Sequence, residues 1–432
     1  MGFESTLVFF VSVFLLLTSL KLSQGRIGFY LLLSSFIYLT NFAWIPLNWV
    51  ASLVLGYDML SEDIIIVGLW GSTAFYFCYV FGGYYFVRDV KLRKMAIYDK
   101  LTNKVLIFVC SAFFLASILG YIVLNGMSFS AGNYGQRLTS NAGNGIFMIF
   151  FFLFIPVALL ALINIRTKSG LAIALLISVV GGMLVYFTLG GSRNVLAAGI
   201  LGVVIIAQRL GMISLKSILF CAVLLISFVN YLAFVRYGQG LSSDIMELAF
   251  RYLIDSLSPY DSFNKILEFY ESGDEEFKGF DYIMAQFNPL IPRAFWPEKP
   301  VVPMTNAYYF TETVLGIHAG TYIISPTLLG GVYIMGGWVG LFFGCCSIIL
   351  LTSIFERLMF CKKPFWVLFS YTLLPFSFFM VRESIELFFN KGILMFCTLF
   401  FIWIIAMIAL YYLDIIKNVH REKLHGQPTS RG

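Results

Sequence analysis

The chain has 432 residues, 59% of them hydrophobic and 12% charged, with 29 Lys and Arg against 23 Asp and Glu and a formal net charge of +6. A soluble globular protein carries about twice that charged fraction, so the composition excludes one and indicates an integral membrane protein. The basic excess is what membrane topology asks of cytoplasmic loops and points to no nucleic-acid partner. The cysteines lie in or beside apolar runs with no CxxC pair, which implies neither a disulfide framework nor a zinc site.

The first stretch, MGFESTLVFFVSVFLLLTSL, lacks a basic leader and is followed by KLSQGR instead of a small-residue cleavage site, so it reads as a retained helix. Apolar runs long enough to cross roughly 30 Å of hydrocarbon number about eleven, with twelve as the even alternative. Their limits are 5–20, 27–49, 64–87, 104–124, 145–165, 170–189, 194–208, 217–235, 322–355, 365–381 and 392–413. The seventh is short. The ninth is interrupted by Gly330, Gly331, Gly336, Gly337 and Gly340, which predicts a broken or steeply tilted span.

Alternate connections divide the charges. One set holds most of the basic residues, among them Lys21, Arg88, Lys91, Arg93, Lys94, Lys100, Arg166, Lys168, Arg209, Lys216, Arg357, Lys362, Lys363 and Lys417, and faces the cytoplasm. The other set holds most of the acidic residues and faces out. This parity puts the N-terminus outside and the C-terminal tail inside. Four regions follow: N-terminal membrane helices over 1–235, a large outer loop over 236–321, C-terminal membrane helices over 322–413 and a tail over 414–432.

Within the outer loop, DIMELAFRYLIDSLSPYDSFNKILEFYES reads as two amphipathic helices separated by Pro259, with Asp244 and Glu247 as a capping pair. Beyond it comes FNPLIPRAFWPEKP, where Pro289, Pro292, Pro297 and Pro300 fix φ and remove backbone donors. Such a segment is a stiff loop, and in a membrane protein it stands outside the hydrocarbon or lines a protein cavity.

Basic residues are sparse on the outer side, so those present are informative. Arg193 stands in LGGSRNV at an expected helix start, where free N–H groups already favour an anion. Arg293 and Lys299 lie in the proline-rich loop, and Arg382 lies in MVRESIELFFNKG at the outer end of the tenth span. Arginines converging from separate elements at membrane depth make an anion site, because a guanidinium grips phosphate with paired charge-assisted bonds. The plainer alternatives remain open here: Arg193 snorkelling, Arg382 pairing with Glu386 one turn on, and Trp296 and Lys299 as interfacial anchors. For acid–base work the outer candidates are Glu298, Glu312, His318, Glu383 and Glu386, of which Glu383 beside Arg382 and His318 in a Gly-flanked turn are the better placed. No DxD, HExxH, P-loop or GxSxG occurs, so neither a metal nor a nucleotide cofactor is expected.

The layout, the PRAFWPEKP stretch, the SRN after a glycine break and SPTLLGGVYIMGGWVG together resemble the O-antigen (Wzy-type) polymerases. The resemblance implies a GT-C-like, all-α polytopic protein of a bacterial inner membrane with a large helical periplasmic loop, a periplasmic N-terminus and a cytoplasmic C-terminus. It implies transfer of a growing glycan from undecaprenyl diphosphate to the terminal sugar of an incoming lipid-linked repeat unit, without metal, and with a chain-length regulator as a partner. By the same resemblance Arg193, Arg293 and Arg382 are the basic catalytic positions; Glu383 and His318 join them only as the acid–base candidates read above from their placement, with a solvated helix-end charge and a capping or packing histidine as the plainer alternatives. Trp296, Lys299, Arg251, Arg236 and Tyr322 are then the substrate-binding candidates.

Two alternatives are weighed. An O-antigen ligase shares the topology, but its usual His–Asn pair is absent, since His318 is followed by Ala319. A transporter or flippase places charges near mid-membrane and shows inverted repeats, neither of which is visible.

Overall fold

The computed structural model describes residues 3–24, 27–56, 66–90, 95–126, 145–189, 193–214, scattered positions over 216–254, 257–273, short pieces over 276–298, and 305–318 and 323–425. Among these residues every regular element is helical. In hydrocarbon a lone segment can satisfy its backbone only within itself, so long apolar runs become helices. The elements are α1 (Phe3–Leu22), α2 (Phe29–Phe42), α3 (Trp44–Leu55), α4 (Ile66–Val87), α5 (Lys100–Asn125), α6 (Gly145–Phe150), α7 (Phe154–Ile165), α8 (Lys168–Thr188) and α9 (Arg193–Arg209). They continue with α10 (Tyr260–Glu271), α11 (Asn306–Tyr309), α12 (Thr327–Met359), α13 (Pro364–Leu373), α14 (Ser377–Arg382) and α15 (Ile385–His425).

Among the described residues, eight helical stretches are long and apolar enough to cross a membrane, or nine if α2 and α3, bent by 44°, count as one. The short seventh run appears as α9. The run over 217–235 lies largely outside the described residues, so the described helices do not test the expected count of eleven.

Two groups of helices pack on either side of α13–α15. In the first, α2 and α4 pack on α12 while α1 packs on α2 and α4; in the second, α7, α8 and α9 pack on one another and α5 packs on α7 and α8. Small residues set the second group's spacing: a Cβ on Gly181 or Gly199 would lie within 2.7 Å of the Phe154 side chain, and one on Gly182 within 2.8 Å of the Leu196 backbone. Without a hydrophobic drive between helices in lipid, this close approach of backbones supplies the packing. Polar caps fix helix ends where the sequence offers them, as where Asp99 accepts from the N–H groups of Leu101 and Thr102 at 3.0 Å at the start of α5.

The two ends of the bundle differ. At one, Arg209 donates to the Met359 carbonyl at 2.9 Å and to the Tyr371 hydroxyl, and lies 4.3 Å from the Phe360 ring centre. Nearby, the Glu356 carboxylate accepts the Tyr30 N–H at 3.1 Å and fills the space where a Cβ on Gly28 would stand, placing negative charge at the start of α2. A cavity of about 90 Å³ there is bordered by Gly28, Tyr30, Arg88 and Glu356. The other, loop end carries α10, which starts just after Pro259 as the sequence predicts and packs on α12, α2 and α4. Ser258 ties that segment down by donating to the Thr40 carbonyl at 2.7 Å.

The interruption expected in the ninth span is present, and it is a reversal more than a tilt. Gly337 adopts φ +57°, ψ −140°, a region that excludes side chains, and divides α12 into two arms. A Cβ on Gly344 would lie 3.0 Å from Val332 Cγ1, and one on Gly340 would meet the Val332 carbonyl. Residues twelve apart on a straight helix are about 18 Å apart, so the arms fold against each other. The tip is plugged from the loop: the Phe277 ring sits 2.6 Å from where a Gly337 Cβ would be, and Lys278 N–H donates to the Ile334 carbonyl freed by the break, at 3.1 Å.

Candidate functional site

The site forms where α14 ends, α15 begins and the first arm of α12 meets α11. The helical pattern fails after Arg382: Glu383 has φ −106°, ψ −71°, and both Glu383 and Ser384 donate to the Phe379 carbonyl, at 2.7 and 3.3 Å. Arg382 is therefore the last residue of one helix and Glu386 belongs to the next, so the i, i+4 pairing of these two along one helix does not form. The carboxylate beside Arg382 is Glu383, with Nη1 to Oε1 at 3.7 Å and both side chains about a quarter exposed, 23% and 26%. At that length the pair attracts by charge and not through a hydrogen bond. Burial pushes the Glu383 carboxyl above the ordinary range, while Arg382 and then Lys391 pull it back.

Two turns of loop hold the junction in place. Ser325 donates to the Arg382 carbonyl at 3.1 Å, and the neighbouring Ile324 N–H is taken by the Thr311 hydroxyl at 2.9 Å. Thr311 lies in a π turn, Phe310–Val314, a widened helical geometry often found at functional sites.

Below the junction the Glu386 side chain is 4% exposed. Ser384 and Asn306 face its carboxyl, yet neither oxygen has a hydrogen bond of normal geometry. Asn306 reaches this position because Gly331 leaves room: a Cβ there would stand 3.1 Å from Asn306 Nδ2 and 4.0 Å from the Ser384 Cβ. Further along α15, the Lys391 ammonium lies 4.9 Å from the Phe152 ring centre and 5.7 Å from Phe376.

Across residues 2–427 the chain matches the family model of WzyE, described as the O-antigen assembly polymerase. The chain belongs to the WzyE family. No solved structure matches it. As a WzyE-family protein it is a multi-pass membrane protein of a glycan-polymerase family, which agrees with the O-antigen polymerase resemblance read from its motifs.

In this WzyE-family chain the predicted site residues fall into four groups. Arg382 and Glu383, neighbours in sequence, lie side by side at the helix break with Nη1 and Oε1 3.7 Å apart. His318 stands apart, 85% exposed, its Nδ1 at 3.3 Å from Glu312 Oε1. Glu312 also raises the Tyr308 hydroxyl pKa through a hydrogen bond. Arg193 is the first described residue of α9, and its side chain lies outside the described residues, as do Arg293, Lys299, Arg251, Arg236 and Tyr322. Trp296 is half-buried in a turn. Sequence reasoning passed over Lys391 and Asn306. Lys391 did carry a signal, being a lysine placed inside the apolar run FFNKGILMF, whereas nothing in TNAYY marks Asn306 as buried.

Proposed function

We propose that this protein polymerises lipid-linked oligosaccharide repeat units, moving the growing glycan from undecaprenyl diphosphate to the terminal sugar of an incoming unit at the outer face of the inner membrane. The WzyE match over residues 2–427 carries the reading, and the Arg382 junction gives it a chemical basis. The leaving group is a diphosphate, so negative charge grows on it as the glycosidic bond breaks. A guanidinium already fixed beside it stabilises that charge without reorganising. Arg382 is held by its position at a helix break and by the Ser325 bond to its carbonyl, so the fork is presented by rigid backbone.

The loop end faces the periplasm and the Arg209 end the cytoplasm. Residues from the basic connections, Arg88, Arg209 and the 356–364 turn, gather at the latter end, which is what a cytoplasmic surface requires. Arg193 and Arg293 are assigned to the same diphosphate chemistry by their motif positions, and a chain-length regulator is the expected partner.

Replacing Arg382 with Ala removes one charge-assisted phosphate contact, worth about 1.5–3 kcal/mol, so polymer synthesis falls roughly ten- to hundredfold. R382K keeps the charge without the fork and falls between. Polymer ladders resolved on gels check this: single repeat units should remain while long chains disappear, and normal ladders from a normally expressed R382A variant would end the assignment of Arg382.

A further inference from the structure

Lys391 lies on α15, six residues past Ile385 and so about 9 Å below the loop end of that helix. An unengaged lysine at that depth extends its stem to the polar rim. Lys391 is instead held over two rings, Phe152 and Phe376, which meet each other edge to face at 5.5 Å. Each ring stands on a 3-10 turn interrupting a membrane helix: Phe151–Leu153 precedes α7, and Leu374–Phe376 separates α13 from α14. Two helices are thus broken at the level of one cation, each giving it an aromatic face. The third neighbour is Glu383, whose carboxyl feels both Arg382 and Lys391. One carboxylate, 3.7 Å from Arg382, therefore feels cations from the two sides of the α14–α15 junction. Charges at membrane depth are costly and mark functional positions.

We propose that Lys391 and Arg382 together form the seat of a polyprenyl diphosphate, with Glu383 as the counter-ion that the diphosphate displaces. This rests on the polymerase reading and adds to it a second cation and the selection of diphosphate over monophosphate. A polyprenyl diphosphate joins a multiply charged head to a hydrocarbon chain, so its seat needs cations at headgroup depth beside apolar surface. Arg382 and Lys391 supply the first, and the second comes from the partly exposed Phe152 ring, with the Phe376 ring buried behind it. The guanidinium fork suits one phosphate in bidentate fashion and the ammonium, a point charge, suits the other. A monophosphate has a single phosphorus centre and less negative charge, so it cannot give each cation a phosphate of its own.

The test uses the full chain in phosphatidylcholine nanodiscs, with farnesyl diphosphate and farnesyl monophosphate as probes and dissociation constants as the readout. Wild type should prefer the diphosphate. K391M should weaken diphosphate binding about tenfold or more, the loss of one charge-assisted contact, and abolish the preference. K391R should keep that preference, and E383Q should bind the diphosphate more tightly than wild type. A K391M variant with a wild-type unfolding midpoint and an unchanged preference overturns the proposal. Should K391M fail to fold, E383Q decides, and an unaltered diphosphate affinity in that variant overturns it equally. Phosphatidylglycerol added to the nanodiscs separates the two sources of such a head: competition as strong as that of the diphosphate assigns the site to membrane phospholipid and ends the proposal. Diphosphate binding in this pattern by a protein that builds no polymer would end the polymerase reading and leave the seat standing. Normal polymerisation alongside an unchanged K391M preference would end the seat alone.

Discussion

Arg209 shows how one side chain joins helices distant in sequence. Its guanidinium links the end of α9 to the Met359 carbonyl of α12 and to the buried Tyr371 hydroxyl of α13. Removing it leaves buried polar groups short of partners, a cost of about 1–3 kcal/mol for each orphaned group. R209M should therefore lower the thermal unfolding midpoint in detergent, with R209K intermediate, while polymer made per folded molecule stays at the wild-type level. At this scale the sequence was legible where charge interrupts an apolar context. Arg382 and Glu383 are visible as RES after an apolar run, and they meet in the structure. Lys391 is equally interrupting, but its importance depends on rings from α6–α7 and α13–α14, more than two hundred residues apart in sequence. Its partners are tertiary, and no periodicity encodes them. The burial of Glu386 against Asn306 was hidden for the same reason.

Among the elements, α12 gives the sharpest expectation. Gly337 combines positive φ with a phenyl ring 2.6 Å from the place of its Cβ, so Gly337→Ala meets backbone strain of roughly 1–3 kcal/mol as well as a steric clash. The unfolding midpoint of G337A in detergent should fall well below wild type. Adding Phe277→Ala should recover the part due to the clash and leave the part due to strain, and full recovery would show that φ at this position costs little. The glycine cluster in SPTLLGGVYIMGGWVG announces a break to anyone reading the chain. Its angle is another matter, because it follows from Val332 packing on Gly340 and Gly344 and from the plug supplied by Phe277 and Lys278. One helix end, by contrast, was local and readable: α10 starts after Pro259. The division of one apolar run into α13 and α14 by a 3-10 turn at Pro375 was not expected, although proline in a helix removes a donor and commonly marks such a point.

For the whole molecule, composition alone gave the class, since 12% charge in 432 residues leaves only a membrane protein. Sidedness is a sharper statement, and it is testable. Alkaline phosphatase fused after Ser272, beyond α10, should be active, because that enzyme matures only outside the cytoplasm, whereas the same reporter after Lys417 should be silent. The reverse pattern would invert the molecule and remove Arg382 from the face on which lipid-linked glycans are joined.

The reversal in α12 also bears on how thick a bilayer this protein fits. As one straight rod its 33 residues would measure about 50 Å, against roughly 30 Å of hydrocarbon. Doubling back at Gly337 leaves a second arm of ordinary crossing length and stows the surplus beneath the connecting segment. Extra residues inserted before Gly337 would be taken up there, whereas the same insertion after it would alter hydrophobic matching and force tilt or local thickening of the membrane.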